Sequence, residues 1–208
     1  DYAASIGAPA VLVREQYPGC PGCTAAALPE IEEREGKQAD VVLLLQGDEP
    51  MTTPDMIDAA LRPFFQDPAV RVVNLMAPLL NAAEHDDENE PKVVVDCRGN
   101  ALYFSREAIP SRWRQGERVP MYKQVCVIPF RRQALLDFNA LERTPLETAE
   151  GIDMLRFLEH GVPVRMVPSP IPGTYSVDTP ADLAHVERCM RHDVLLPRYM
   201  RVPQERLV

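Results

Sequence analysis

The chain is poor in lysine, in long apolar runs and in pairable cysteines, and each shortage narrows what it can be. Only Lys37, Lys92 and Lys123 occur among 22 basic residues, against 31 acidic ones, for a formal net charge of −9. A duplex binder needs surplus basic side chains to replace condensed counterions, so the balance is against a large nucleic-acid footprint. The preference for arginine reads as a bias of base composition and says little about function. No apolar stretch approaches the roughly 20 residues that a membrane-spanning helix requires. The five cysteines are odd in number and scattered over 208 residues, which fits a reducing cytoplasm better than a disulfide framework. Cys20-Pro21-Gly22-Cys23 lacks further zinc ligands, because Cys97, Cys126 and Cys189 are isolated, and it reads as a loop. His85, His160, His185 and His192 show no ligand spacing and read as surface residues. Repeats, low-complexity segments and a signal-like opening are missing too. DYAASIG reads instead as a helix end stopped by Gly7, which implies a segment upstream.

What is present reads as one α/β domain over residues 1–208. Ala8 to Val13 is a short apolar strand, followed by a Gly/Pro/Cys loop and a helix from Thr24, its cap, to about Arg34. Val41 to Leu45 (VVLLL) has no polar alternation, which suits a central parallel strand covered on both faces. Thr53-Pro54 opens a helix to about Phe65; strands follow at 70–76, at 93–95 and at ALYFS. Helical segments are expected at 131–138 and 147–160, then the strand VRMVP and a terminal helix from Pro180. Strands alternating with helices imply a Rossmann-like, three-layer core on a mostly parallel sheet. Ligands of such sheets sit beyond the carboxyl ends of the strands. QGDEP, residues 46–50, lies at such an end.

Asp48 and Glu49 close that buried run. They read either as a solvated turn or, for Asp48, as a hard oxygen ligand to Mg²⁺, which takes one or two carboxylates plus phosphate oxygens. Asp178 in SVDTP stands at a second loop-to-helix junction, where it is either a cap or a partner of Asp48 on one ion. Thr179 and Asp182 can already serve the cap.

LLLQGDEP, PKVVVDCRGNALYFSREAIP, MYKQVCVIPFRR, PLETAEGIDMLRFLEHG and GTYSVDTPADLAHV, in this order, resemble the 3-deoxy-manno-octulosonate (Kdo) cytidylyltransferases. The resemblance covers essentially all of the chain beyond residue 40. It implies a nucleotidyltransferase of the glycosyltransferase-A-like fold that joins CTP and a 2-keto sugar acid, releasing pyrophosphate. It implies Asp48 and Asp178 as the catalytic carboxylates holding magnesium, with Gln46, Tyr103, Ser105, Arg106, Gln124, Glu150 and Asp153 around the acceptor. Arg106 is the candidate for the acceptor's acidic group, since a guanidinium grips carboxylate as a fork. Tyr103 and Ser105 alternate with Leu102 and Phe104, so one pair is expected to face the core and the other the site. Gly22 and Thr24 are the candidates on the nucleotide side. Family members are often dimers, and the segment Ser111 to Met121, with the lone Trp113, is where a homodimer contact is expected.

The chain departs from the family at the acceptor. Where relatives read KHIGIYAYR, residues 123–131 are KQVCVIPFR, so Gln124 replaces a histidine and Ile128 a tyrosine. The usual LEQLR is here IDMLR, which shortens a glutamate to Asp153 and replaces a glutamine with Met154. Metal carboxylates kept and pocket residues changed point to the same chemistry on another acceptor: a different 2-keto sugar acid, or a smaller acid such as a phosphonate. The family's arginine-bearing base loop is Pro21-Gly22-Cys23-Thr24-Ala25 here, and its phosphate loop has no counterpart. A catalytically silent nucleotide-binding relative therefore stays open beside the enzyme.

Overall fold

The apolar run at 41–45 is covered on both faces, and its alternating side chains belong to different cores. In the computed structural model, which describes residues 2–113, 119–171 and 173–199, the elements in chain order are α1 (Tyr2–Ser5), α2 (Cys20–Glu35), β1 (Val41–Leu45), α3 (Pro54–Gln66), β2 (Val72–Pro78), α4 (Ala82–Asp86), β3 (Lys92–Val95), β4 (Ala101–Ser105), β5 (Tyr122–Val125), β6 (Val127–Arg131), α5 (Arg132–Ala140), α6 (Pro145–Glu150), α7 (Met154–Glu159), β7 (Val164–Pro168), α8 (Pro180–Met190) and α9 (Leu196–Tyr199). Leu44, Val72, Met76, Ile128 and Phe130 pack with Ala25 and Leu28 of α2, Leu135 and Phe138 of α5, and Leu155 and Phe157 of α7. The alternate residues Leu75, Ala77, Val125 and Val127 pack against Met56 and Ala60 of α3. Helices thus cover both faces of a seven-stranded sheet, giving the expected three layers.

The sheet itself corrects the expectation of parallel strands. Among the described residues only β2 and β7 pair in parallel; β1 with β6, β6 and β5 with β2, β3 with β5 and β4 with β3 are antiparallel. β1, β2 and β7 do run the same way, but the segment 122–131 runs against β2 in the opposite sense, its β6 part between β2 and β1 and its β5 part between β2 and β3. VVLLL is therefore covered on both faces without being central: among the described residues β1 pairs with β6 alone.

Local signals met mixed outcomes. Gly7 ends α1 with φ 71°, and Thr53 caps α3, its hydroxyl accepting from Met56 N at 3.4 Å with Pro54 in the first turn. The strand expected at 8–13 does not form. Leu12 is 77% exposed, and an apolar run becomes a strand only where a neighbouring edge supplies its hydrogen bonds. The helix expected at 147–160 is two helices, α6 and α7, divided by Gly151 at φ 65°. His85 lies inside, 2% exposed, with Nε2 3.1 Å from the Ile109 carbonyl oxygen. The segment expected to carry a dimer contact falls partly outside the described residues. No helix among the described residues is long and apolar enough to cross a membrane.

Candidate active site

β1 delivers Gln46 and Asp48 to a turn in which Glu49 N–H donates to the Gln46 carbonyl at 3.3 Å. From the far end of the chain, Val177 N–H donates to the Asp48 carbonyl at 2.9 Å, which brings Asp178 to the same place. Thr179 and Asp182 cap α8 between them: Asp182 N donates to Thr179 Oγ1 at 3.3 Å, and Thr179 N to Asp182 Oδ2 at 2.7 Å. That arrangement leaves the Asp178 carboxylate free of capping; it accepts only from Ser176 Oγ, at 2.7 Å. Both acids line one cavity of about 210 Å³. Asp48 Oδ1 is buried there with no hydrogen-bond partner, an unmet carboxylate oxygen of the kind that a cation satisfies. Among the described residues no three His, Cys, Asp or Glu side chains converge as a metal cage. Magnesium does not need one, because it usually keeps several waters and takes phosphate oxygens beside one or two carboxylates.

The cavity's balance of charge is acidic. Asp48, Glu49, Glu90, Asp153 and Asp178 line it, against Arg106 and Lys123. Glu49 does more than turn the chain. Its Oε1 accepts from Cys126 N at 3.0 Å, and burial pushes its carboxyl up to about 7. Burial, with Glu147 nearby, raises Asp153 to about 6. Lys123, 3% exposed, donates to Glu90 Oε1 at 2.8 Å; burial raises Glu90 against the attraction of that ammonium. Neither a scarcity of lysine nor an acidic stretch at 84–90 points to a pocket by itself, so composition does not single out Lys123 and Glu90. The available signal was that Lys123 directly precedes Gln124 in the acceptor motif.

Tyr103, Ser105 and Glu150, expected around the acceptor, are not among the residues that line this cavity. Tyr103 Oη and Ser105 Oγ both donate to Glu150 Oε1, at 2.9 and 2.8 Å. Glu150 in turn accepts from Arg106 N through Oε2 at 2.8 Å, and its carbonyl accepts from Arg106 Nε at 2.8 Å. With Nη1 donating to the Glu88 carbonyl at 2.8 Å, Arg106 has two of its three nitrogens bonded to backbone carbonyls, and it lines the cavity with Nη2 outside those bonds. The cluster holds Arg106 from behind the cavity lining. Alternation along β4 holds for Phe104, which is in the core, whereas Leu102 is 61% exposed.

On another wall of the cavity, Gln124 Nε2 donates to the buried Asn74 Oδ1 at 2.6 Å. Ile128 and Met154, 4% and 0% exposed, add apolar lining. A second, more open cleft of about 590 Å³ adjoins the first through Gln46 and Asp48 and is walled by Tyr17, Cys20, Cys23 and Thr24. Thr24 is there as expected, though its hydroxyl donates to the Cys20 carbonyl at 2.8 Å and caps nothing. Gly22 is absent from this lining. It is buried in α2, where an added Cβ would come within 2.9 Å of Tyr17 Cβ, so packing leaves no space for a side chain there. CPGC opens α2 and is not a loop. Burial and the nearby Asp153 and Asp48 raise the Cys20 thiol, although Gln46 Nε2 at 3.2 Å opposes the shift. An activated redox thiol would show the opposite shift.

Comparison with known proteins gives this geometry a context. A cytidylyltransferase family profile matches residues 10–166. The 3-deoxy-manno-octulosonate cytidylyltransferase of Pelobacter propionicus is 37% identical over 163 residues, covering 74% of this chain and 64% of the relative. That of Chloroherpeton thalassium is 35% identical over 189 residues, covering 90% and 74%. The chain thus spans less than two thirds of the Pelobacter relative's length. The solved structure of CMP:2-keto-3-deoxy-manno-octonic acid synthetase complexed with CTP superposes with a TM-score of 0.78 at 32% identity, over 91% of this chain and 75% of that one. Carrying two separate acid-bearing loops to one cavity and matched over most of its length, the chain belongs to the cytidylyltransferase family.

Proposed function

We propose that the protein transfers CMP from CTP to an acidic sugar acceptor and releases pyrophosphate. The observation that carries this reading is the Val177 N–H to Asp48 carbonyl bond, which brings Asp178 to the cavity where an Asp48 carboxylate oxygen is buried without a protein partner. Asp48 and Asp178 would hold Mg²⁺, which when bound supplies charge neutralisation at the α-phosphate and a lowered pKa for the acceptor hydroxyl. The chain's own residues position the reactants. Gln46 borders both cavities and offers an amide where nucleotide and acceptor meet. Arg106 and Lys123 supply the positive charge that an acidic acceptor requires, Arg106 through its remaining Nη2 and Lys123 through donors not used by Glu90. Displacement at phosphorus needs little covalent help, so alignment and charge neutralisation suffice in place of a separate protein base.

The acceptor is a sugar acid other than Kdo. Gln124 is spent on Asn74, and Ile128 and Met154 offer no hydrogen bonds where relatives have tyrosine and glutamine. Hydroxyls left unpaired there would cost about 1–3 kcal/mol each. Pyrophosphate release from CTP and Mg²⁺ tests both statements against a panel of 2-keto sugar acids and phosphonates. The expected result is turnover of one sugar acid at least tenfold better than Kdo, and its loss by at least about 100-fold in Asp48→Asn and in Asp178→Asn. Robust turnover of Kdo would overturn the acceptor assignment. Preference for a phosphonate would move the acceptor to a non-sugar acid, and silence with every acceptor despite CTP binding would favour a non-catalytic relative.

A further inference from the structure

Asp153 stands between the two cavities. It lines the acceptor side, yet its carboxylate lies against Gly19, at the foot of the helix that walls the nucleotide side. A Cβ added to Gly19 would sit 2.1 Å from Asp153 Oδ1 and 2.6 Å from both Cγ and Oδ2. Gly19 has φ −171°, extended backbone that any residue adopts, so the glycine is required for space and not for conformation. Gly19 is also the N-cap of α2, which has no side-chain cap and no acid in its first turn. A helix start of that kind leaves N–H groups unmet and a positive dipole end uncompensated. Asp153 is placed to supply what is missing from another element: its carboxylate lies against Gly19, the residue directly before the Cys20 amide. The first turn so held carries Cys20, Cys23 and Thr24, three walls of the nucleotide-side cleft.

We infer that Asp153 is a positioning residue for the nucleotide: it caps α2 from across the fold and holds the Cys20–Thr24 wall in place, instead of binding the acceptor. This deepens the proposed function and rests on it for the identity of the nucleotide. The short side chain matters. An aspartate at this position reaches Gly19, while the longer glutamate of relatives would overrun the contact that Gly19 leaves open. Leaving the acceptor without that acid agrees with the apolar wall formed by Ile128 and Met154.

A double-mutant cycle tests the contact. Gly19→Ala, Asp153→Ala, the double variant and Asp153→Asn are made in the full chain. Urea midpoints are measured without nucleotide, the Kd for CTP with Mg²⁺ by calorimetry, and KM for each substrate by pyrophosphate release. Gly19→Ala alone is expected to lower the midpoint and weaken CTP, because the new methyl collides with the carboxylate. In the Asp153→Ala background the same change costs little, since the collision partner is gone. Asp153→Asn, which keeps the shape and loses the charge, is expected to weaken CTP about three- to thirty-fold, the range of a lost cap, with a smaller effect on the acceptor's KM. Additive midpoints would overturn the contact. An unchanged CTP Kd with a raised acceptor KM would return Asp153 to the acceptor. If the wild-type chain binds no CTP, the proposed function fails, while the midpoints still decide whether the contact exists.

Discussion

Two of the chain's three lysines are buried, in a protein that otherwise uses arginine. Lys92 is 0% exposed, and its Nζ donates to the carbonyls of Asp87, at 2.6 Å, and Arg106. Burial lowers its pKa against the pull of Asp87 and Glu90. A compact ammonium with three donors can be satisfied by two carbonyls, whereas a guanidinium brings five donors and a larger plane. Lysine stands at this position because of its size. The contact ties the 87–90 loop to the start of the Arg106 loop, so it braces one wall of the cavity. Lys92→Met is expected to cost about 2 kcal/mol, because two buried carbonyls lose their donor while one buried charge is relieved. Lys92→Arg is expected not to restore the loss. Urea midpoints of the two variants decide this, and a methionine variant as stable as wild type would show the ammonium to be dispensable.

Helices α6 and α7 show what pattern alone could not reveal. The apolar spacing from Leu146 to Leu158 continues across Gly151, so 147–160 reads as one helix, yet Gly151 in the left-handed region ends α6 and turns the chain. The two short helices are joined by a buried fork: Arg156 Nε and Nη2 donate to Glu147 Oε2 and Oε1 at 2.7 and 2.6 Å. Arg156 Nη1 also reaches the Phe138 carbonyl at 3.2 Å, and the guanidinium carbon lies 4.0 Å from the Phe138 ring centroid. This joint sets the 151–153 corner that bounds the cavity. Glu147→Gln leaves the arginine buried beside a neutral partner and should destabilise the fold by about 3 kcal/mol. Arg156→Lys, which cannot fork, should cost a similar amount; equilibrium urea unfolding measures both. The same limit applies to the sheet. VVLLL reports that both faces of β1 are covered, which is true. It does not report pairing direction, which is set by the strand inserted from 122–131. Asp48 and Asp178 are named by their motifs, and two loops from opposite ends of the chain bring both to one cavity. Glu150, Tyr103 and Ser105 stand one layer behind that lining, around Arg106, because a motif shows which residues belong together and not which of them faces the cavity.

Across the molecule the acids that the fold displaces from the ordinary carboxyl range fall into two groups with opposite effects on stability. Glu32, held by hydrogen bonds from Arg132, is lowered to about 2; the Asn100 amide lowers Asp96, and the Thr179 cap lowers Asp182. These groups favour the fold once ionised, so their contribution is present above the ordinary carboxyl range and is lost as pH falls through their folded values. The cavity acids act in reverse. Burial holds Glu49 at about 7 and Asp153 at about 6, and raises Glu90. Their contribution is complete below the unfolded carboxyl values and is lost as pH rises through 6 and 7, because the fold then carries buried charges that the unfolded chain solvates. The two limbs place the stability maximum of the metal-free protein at about pH 5, acid of neutrality. Urea midpoints from pH 3 to 8 in EDTA should rise and then fall. The gap between wild type and Asp153→Asn should shift against wild type as pH climbs from 4 to 7, since asparagine does not titrate. Millimolar Mg²⁺ should flatten the alkaline limb by binding the ionised cavity in the folded state alone, and it should do so less in Asp48→Asn. A midpoint in EDTA that climbs steadily to pH 8 would mean that the cavity carboxyls ionise without cost, and that the acidity of the site is not a strain the fold keeps for a cation.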